Sequence, residues 1–213
     1  MGSARQKPTS WNPDDTGRLG DRVLAFAQSR VAAHNAQAGN PQLSLEVFDP
    51  AAIPEMQQVM QSPMYFLPTD EVPDKIKDMC RVIEEADCFL VVTPEHNHTI
   101  PSSLTNMMNH FGCSKYAKKV SGCVCYSMTP TGGPRVAQAL RPYLSELGCL
   151  PVSKQVIFSN AYGLFDQKGV PREGQTAGGM RPQSIADHVN SQMDGLLKDV
   201  IWWAAAARSQ RGS

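Results

Sequence analysis

The stretch that most constrains this chain is Cys88-Phe-Leu-Val-Val-Thr93, apolar at successive positions rather than at alternate ones. A strand that reads this way is covered on both faces, as in a parallel sheet with helices on either side. It is therefore expected to be central, not an edge. Pro101 fits a first helical turn, where its missing N–H costs nothing, so a helix should begin there. The seven residues between, Pro94 to Ile100, then form the loop at the strand's carboxyl end, which is where open α/β sheets bind ligands.

The rest of the chain alternates in the same way. Leu19, Val23, Phe26, Ala27 and Val31 recur at helical spacing until Gly39-Asn40-Pro41, and Leu43, Leu45 and Val47 alternate as in a strand that ends at Asp49-Pro50. Residues 51–69 carry three prolines with Met64, Tyr65 and Phe66, and read as an irregular excursion over a site. Ile76, Met79, Cys80 and Ile83 mark a second helix. A strand at 120–127, a helix from Pro134 to Leu147, a last strand in Lys154-Gln-Val-Ile-Phe-Ser-Asn160 and a terminal helix over 182–207 complete the order. Ile185, Val189, Met193, Leu197 and Val200 share one face of that last helix, and Trp202 and Trp203 are expected to pack. Pro142 should kink the helix that contains it. The alternation predicts one α/β domain over residues 1–213, a three-layer parallel sheet with right-handed crossovers.

With 213 residues, 41% of them hydrophobic, the chain can bury one ordinary core. Twenty basic residues balance twenty acidic ones, which removes the electrostatic case for a nucleic-acid or membrane-surface partner. Lys115, Lys118 and Lys119 read as a solvated loop. No apolar span is long enough for a membrane helix and no signal-peptide core is present, so a cytoplasmic location is expected. The six cysteines show no CxxC or zinc spacing and read mostly as small buried hydrophobes, Cys123 and Cys125 on one strand face. His96, His98, His110 and Cys113 lack an acidic ligand set nearby, and no metal is expected.

Two loops at carboxyl ends of neighbouring strands, Thr-Pro-Glu-His-Asn-His-Thr-Ile-Pro (93–101) and Ser-Met-Thr-Pro-Thr-Gly-Gly-Pro (127–134), are rich in residues that expose backbone N–H groups. A flat heteroaromatic ligand with acceptors along one edge would suit them. Turns in general use the same residues. At the amino end, Gly2-Ser3-Ala4-Arg5, followed by Arg18 in Gly-Arg-Leu-Gly-Asp-Arg-Val, has the free N–H groups, hydroxyl and guanidinium of a phosphate cradle.

In this order the three elements resemble the NADPH-dependent FMN reductase family of flavodoxin-like proteins, from Gly2 to about Gly169. Members read Pro-Glu-Tyr-Asn where this chain has Pro94-Glu95-His96-Asn97. Their Gly-Ser-x-Arg loop corresponds to Gly2-Ser3-Ala4-Arg5, and their later glycine pair to Gly132 and Gly133. The resemblance implies FMN held by Ser3, Arg5 and Arg18 at the phosphate and by Pro94, Glu95, His96, Asn97, Ser127, Thr129, Thr131, Gly132 and Gly133 around the ring. It implies NADPH as donor, hydride transfer to the flavin N5, a small-molecule electron acceptor such as a quinone or flavin, and a homodimer or homotetramer. Backbone N–H groups around Glu95 to Asn97 would stabilise the reduced ring. The rival within the same fold is a non-catalytic FMN-binding electron carrier or apo scaffold. Family members also place an apolar strand just before the first loop. Nothing of that kind stands before Gly2, so the resemblance implies a sheet of order 2-1-3-4-5 lacking strand 1, with a gap in the core.

Overall fold

The computed structural model describes residues 17–174 and 183–211. The N-terminal Ser3 and Arg5 lie outside the described residues. Helix α1 (Leu19–Asn35) leads to an extended stretch, and α2 (Asp74–Glu85) to strand β1 (Cys88–Pro94). Then follow α3 (Ser102–Asn109), a single turn α4 (Cys113–Tyr116), β2 (Val120–Tyr126), α5 (Pro134–Glu146), β3 (Leu150–Phe158), the short α6 (Ala161–Leu164) and α7 (Ile185–Arg211).

The strands pair in parallel in the order β1-β2-β3, Leu90 opposite Gly122 and Val124 opposite Val156. Every residue of β2 is buried, as its middle position demands. Helices cover both faces, giving the expected three layers. On one face α1 and α7 set Val23, Phe26, Met193 and Leu196 against Val124 and Val156. On the other, α2, α3 and α5 set Met79, Leu104 and Leu140 against Val91, Cys123 and Cys125. Cys123 and Cys125 thus share a face, and all six thiols are free, with Cys113 exposed. Helix α5 runs through Pro142.

Four expectations need correction. Among the described residues β1 is an edge strand, bonded to β2 alone. Residues 43–49 are extended but form no strand; Asn35 pins the backbone of Leu43 at 2.9 Å in both directions, while Leu45 and Val47 are half exposed. The reason is the same for both: a cavity separates that stretch from β1, so neither finds the other's hydrogen bonds. Trp202 and Trp203 do not pack into the core. Val200 and Ala204 take the face of α7 that meets the sheet, which turns the two indoles to solvent, 63% and 51% exposed and edge to face with each other. Lys119, read as solvated, is buried and its Nζ donates to the carbonyls of Ile83 and Glu84, capping α2. Lys115 pairs with Glu84 nearby.

Candidate functional site

Strand β1 ends in a tight turn. His96 and Thr99 exchange backbone hydrogen bonds of 3.2 and 2.9 Å, and the two residues between, Asn97 and His98, have φ of 47° and 63°. Two consecutive left-handed residues make a type I′ turn, which Asn and His tolerate better than other side chains do. The Asn97 and His98 N–H groups have no acceptor among the described residues, and both residues are exposed. The N–H groups of Glu95 and His96 are not free as expected, because Glu95 donates to Tyr126 O at 2.9 Å and His96 to Thr99 O. The donors this loop can offer a ligand are therefore those of Asn97 and His98.

The second loop, Ser127 to Gly133, is folded upon itself. Ser127 Oγ receives the Thr129 N–H and lies 3.1 Å from the Thr129 hydroxyl, and Ser159 Oγ donates to Gly132 O at 2.6 Å. Both glycines serve this fold directly. A Cβ on Gly132 would stand 2.2 Å from Ser127 Oγ, and Gly133 has φ +107° with Ile157 closing on its missing side chain. Glu95 then ties the two loops together: its Oε2 accepts N–H bonds from Gly133 at 2.7 Å, Arg135 at 3.1 Å and Val136 at 3.3 Å. Burial would push this carboxyl up, but those bonds and the nearby Arg135 guanidinium outweigh it and hold the group below the usual carboxylate range.

Arg18 sits at the start of α1, its guanidinium forked onto Asp49 and bonded to Asp21 at 3.0 Å. The Arg18 hydrogen bonds keep the Asp49 carboxyl below its ordinary value against the opposing effect of burial. Because the fork is already engaged, an arriving anion would have to displace Asp49 or share the guanidinium with it.

A cavity of about 1130 Å³ opens at the carboxyl ends of β1 and β2 and runs the whole length of β1. Its mouth gathers Arg18, Pro94, Glu95, His96, Ser127 and Tyr162; its body lies between β1 and residues 42–50. Thr129, Thr131, Gly132, Gly133 and Asn97 are not among its lining residues. Nor is any residue of 51–69: that stretch packs on α3 instead, held by the Asn106 amide to Met56, Gln58 and Met60. Tyr162, in the short α6 just after β3, escaped the sequence reading although the rule that the carboxyl ends of strands carry sites would have included it. Arg22 lies over its ring at 4.8 Å.

The sequence profile of the NADPH-dependent FMN reductase family matches residues 10–163. The chain belongs to that family. Among curated relatives, an NAD(P)H:quinone oxidoreductase of Solanum tuberosum is 32% identical over 62% of this chain and 73% of its own length. An uncharacterized protein of Mycoplasma pneumoniae is 29% identical over 47% of this chain, and the match spans 64% of that protein's length. Among solved structures, a flavoenzyme NAD(P)H:(acceptor) oxidoreductase from Paracoccus denitrificans superposes with a TM-score of 0.64 over 91% of this chain and 94% of its own, at 13% identity. An oxidoreductase from Corynebacterium diphtheriae does so with 0.61 over 87% and 86%, also at 13%. At such identities the superpositions speak for the fold, which is that of flavodoxin-like oxidoreductases.

As a receptor for FMN, the family's cofactor, the carboxyl-end mouth fits the ring on the chemistry of its donors. The His96 imidazole and the hydroxyls of Ser127 and Tyr162 line the opening, and the exposed Asn97–His98 turn follows His96 directly outside it. For the phosphate, Arg18 is a cation at the mouth among the described residues, shared with Asp49 and Asp21.

Proposed function

We propose that this chain is an NAD(P)H-dependent flavin oxidoreductase that passes reducing equivalents from a nicotinamide through FMN to a quinone, a flavin or a similar small acceptor. The observation that carries the reading is a cavity mouth at the carboxyl ends of β1 and β2, lined by Pro94, His96, Ser127 and Tyr162, beside two loops that Glu95 ties together, in a chain of the FMN reductase family. When bound, FMN supplies the hydride-accepting and electron-donating chemistry. The protein's part is to orient and exclude. The Asn97 and His98 N–H groups, which have no acceptor among the described residues, would be the donors for the ring edge that gains negative charge on reduction, where fixed donors act without reorganising. His96 borders the ring in place of the family's tyrosine. Arg18, together with Ser3 and Arg5 ahead of it, takes the phosphate end. Donor and acceptor would use one opening in turn, so ping-pong kinetics are expected. The absorbance spectrum of the purified chain, followed by NADPH oxidation with an added quinone, tests the proposal. A colourless chain that fails to quench FMN fluorescence would overturn it; bound flavin without NADPH oxidation would favour an electron carrier.

A further inference from the structure

Glu95 is the most heavily engaged side chain at the candidate site. Only 4% of its side-chain surface is exposed, and Oε1 lies 3.6 Å from the Arg135 guanidinium while Oε2 accepts the three N–H bonds described above. A carboxylate placed there meets the unsatisfied N–H groups and positive end of a 13-residue helix. The Glu95 backbone is bonded to the last residue of β2, and the next residue opens the His96–Thr99 turn. One side chain thus fastens the loop after β1 to the loop after β2. The remainder of α5 does not depend on it, since Val136, Leu140 and Leu144 anchor that helix in the core with no exposed surface.

Resting on the flavin reading above, we infer that Glu95 is a positioning residue that touches no ligand: it fixes the spacing between the Asn97–His98 donors and the Ser127–Gly133 loop. Without its carboxylate the first turn of α5 must recruit water, and the two loops move apart independently. Affinity for the ring then falls because the donors are no longer held in register with the opposite wall.

The experiment compares the full chain with Glu95→Gln and Glu95→Ala, titrating each with FMN by fluorescence quenching. Loss of a charge-assisted tie should raise the FMN dissociation constant about tenfold in the Gln variant and further in the Ala variant. Lys119→Met, which removes a buried cap on α2, serves as a control for general destabilisation: it should melt lower and keep the original FMN affinity. Unchanged affinity in both Glu95 variants, or an equal loss in Lys119→Met, would overturn the inference. Amide exchange of the ligand-free chains separates this idea from the flavin reading. Joint acceleration at Gly133 and Arg135 and at the hydrogen-bonded amides of His96 and Thr99 sustains the tie even if the parent chain binds no flavin, whereas acceleration at α5 alone removes it. If the Ala variant does not fold, the isosteric Gln variant carries the same comparison.

Discussion

The cavity beside β1 can be challenged by filling it. The perturbation is fusion of six apolar, β-branched residues ahead of residue 1, compared with fusion of six polar ones. Seven residues of β1 line the cavity, and apolar side chains reach it from both helical layers, Leu104 and Met108 from one and Val200 and Leu197 from the other. An added strand would therefore be covered on both faces. Each fully buried aliphatic side chain stabilises by about 1.5 to 3 kcal/mol, so six contribute roughly 9 to 18. Ordering six residues costs about 1.5 kcal/mol each, or about 9 in total. Pairing with the free edge of β1 adds about 1 kcal/mol for each hydrogen bond formed. The net gain is several kcal/mol, large beside a typical domain stability of about 5 to 15 kcal/mol. For a chain of this size each kcal/mol moves the melting temperature by about 2 to 4 °C, so about 5 kcal/mol should raise it by roughly 10 to 20 °C. Urea unfolding, read for both midpoint and slope, is the assay; the slope should rise with the extra surface buried. An equal effect from the polar fusion, or no shift from the apolar one, would show that the cavity is not shaped for a strand.

Three further outcomes are expected. Glu95 titrates below the usual carboxylate range in the folded chain, so its contribution to stability is complete above the unfolded-state value and is lost as pH falls through the folded one; urea midpoints of the parent and Glu95→Gln should converge in acid. Gly133→Ala combines a φ of +107° with an approach to Ile157, and should destabilise the ligand-free chain by more than about 1 kcal/mol, seen as a lower melting temperature before any flavin is added. His98→Gly should do the opposite at the type I′ turn, gaining up to about 1 kcal/mol because glycine takes the left-handed conformation at no steric cost; a lower melting temperature would mean that the His98 side chain is held by something else.

Local pattern carried most of the elements. The unbroken apolar run of β1, the helical spacing in α1, α2 and α7, and the glycines and prolines that end them were all readable from residues close together in sequence. Position in the sheet was not. Whether β1 is central depends on what lies across its other edge, and residues 43–49 alternate like a strand while finding no strand partner among the described residues. Lys119 misled for a related reason: beside two other lysines it looks solvated, and only the arrival of Ile83 and Glu84, some 35 residues earlier, buries it. At the site, the loops and their glycines were legible, but the direction of their N–H groups was not. Glu95 could be expected near a ligand, whereas its bond to Gly133 spans 38 residues and follows from the β1–β2 register.

The Glu95 tie is made to main-chain N–H groups, and such groups are present whatever side chain the residue carries. Thr129, Pro130 and Thr131 can therefore be exchanged by evolution without loosening it. The outer surface of that loop is free to drift in chemistry while its distance from the turn after β1 stays constant. A family built on this arrangement could change acceptors by point substitution in one loop and leave the cofactor seat undisturbed.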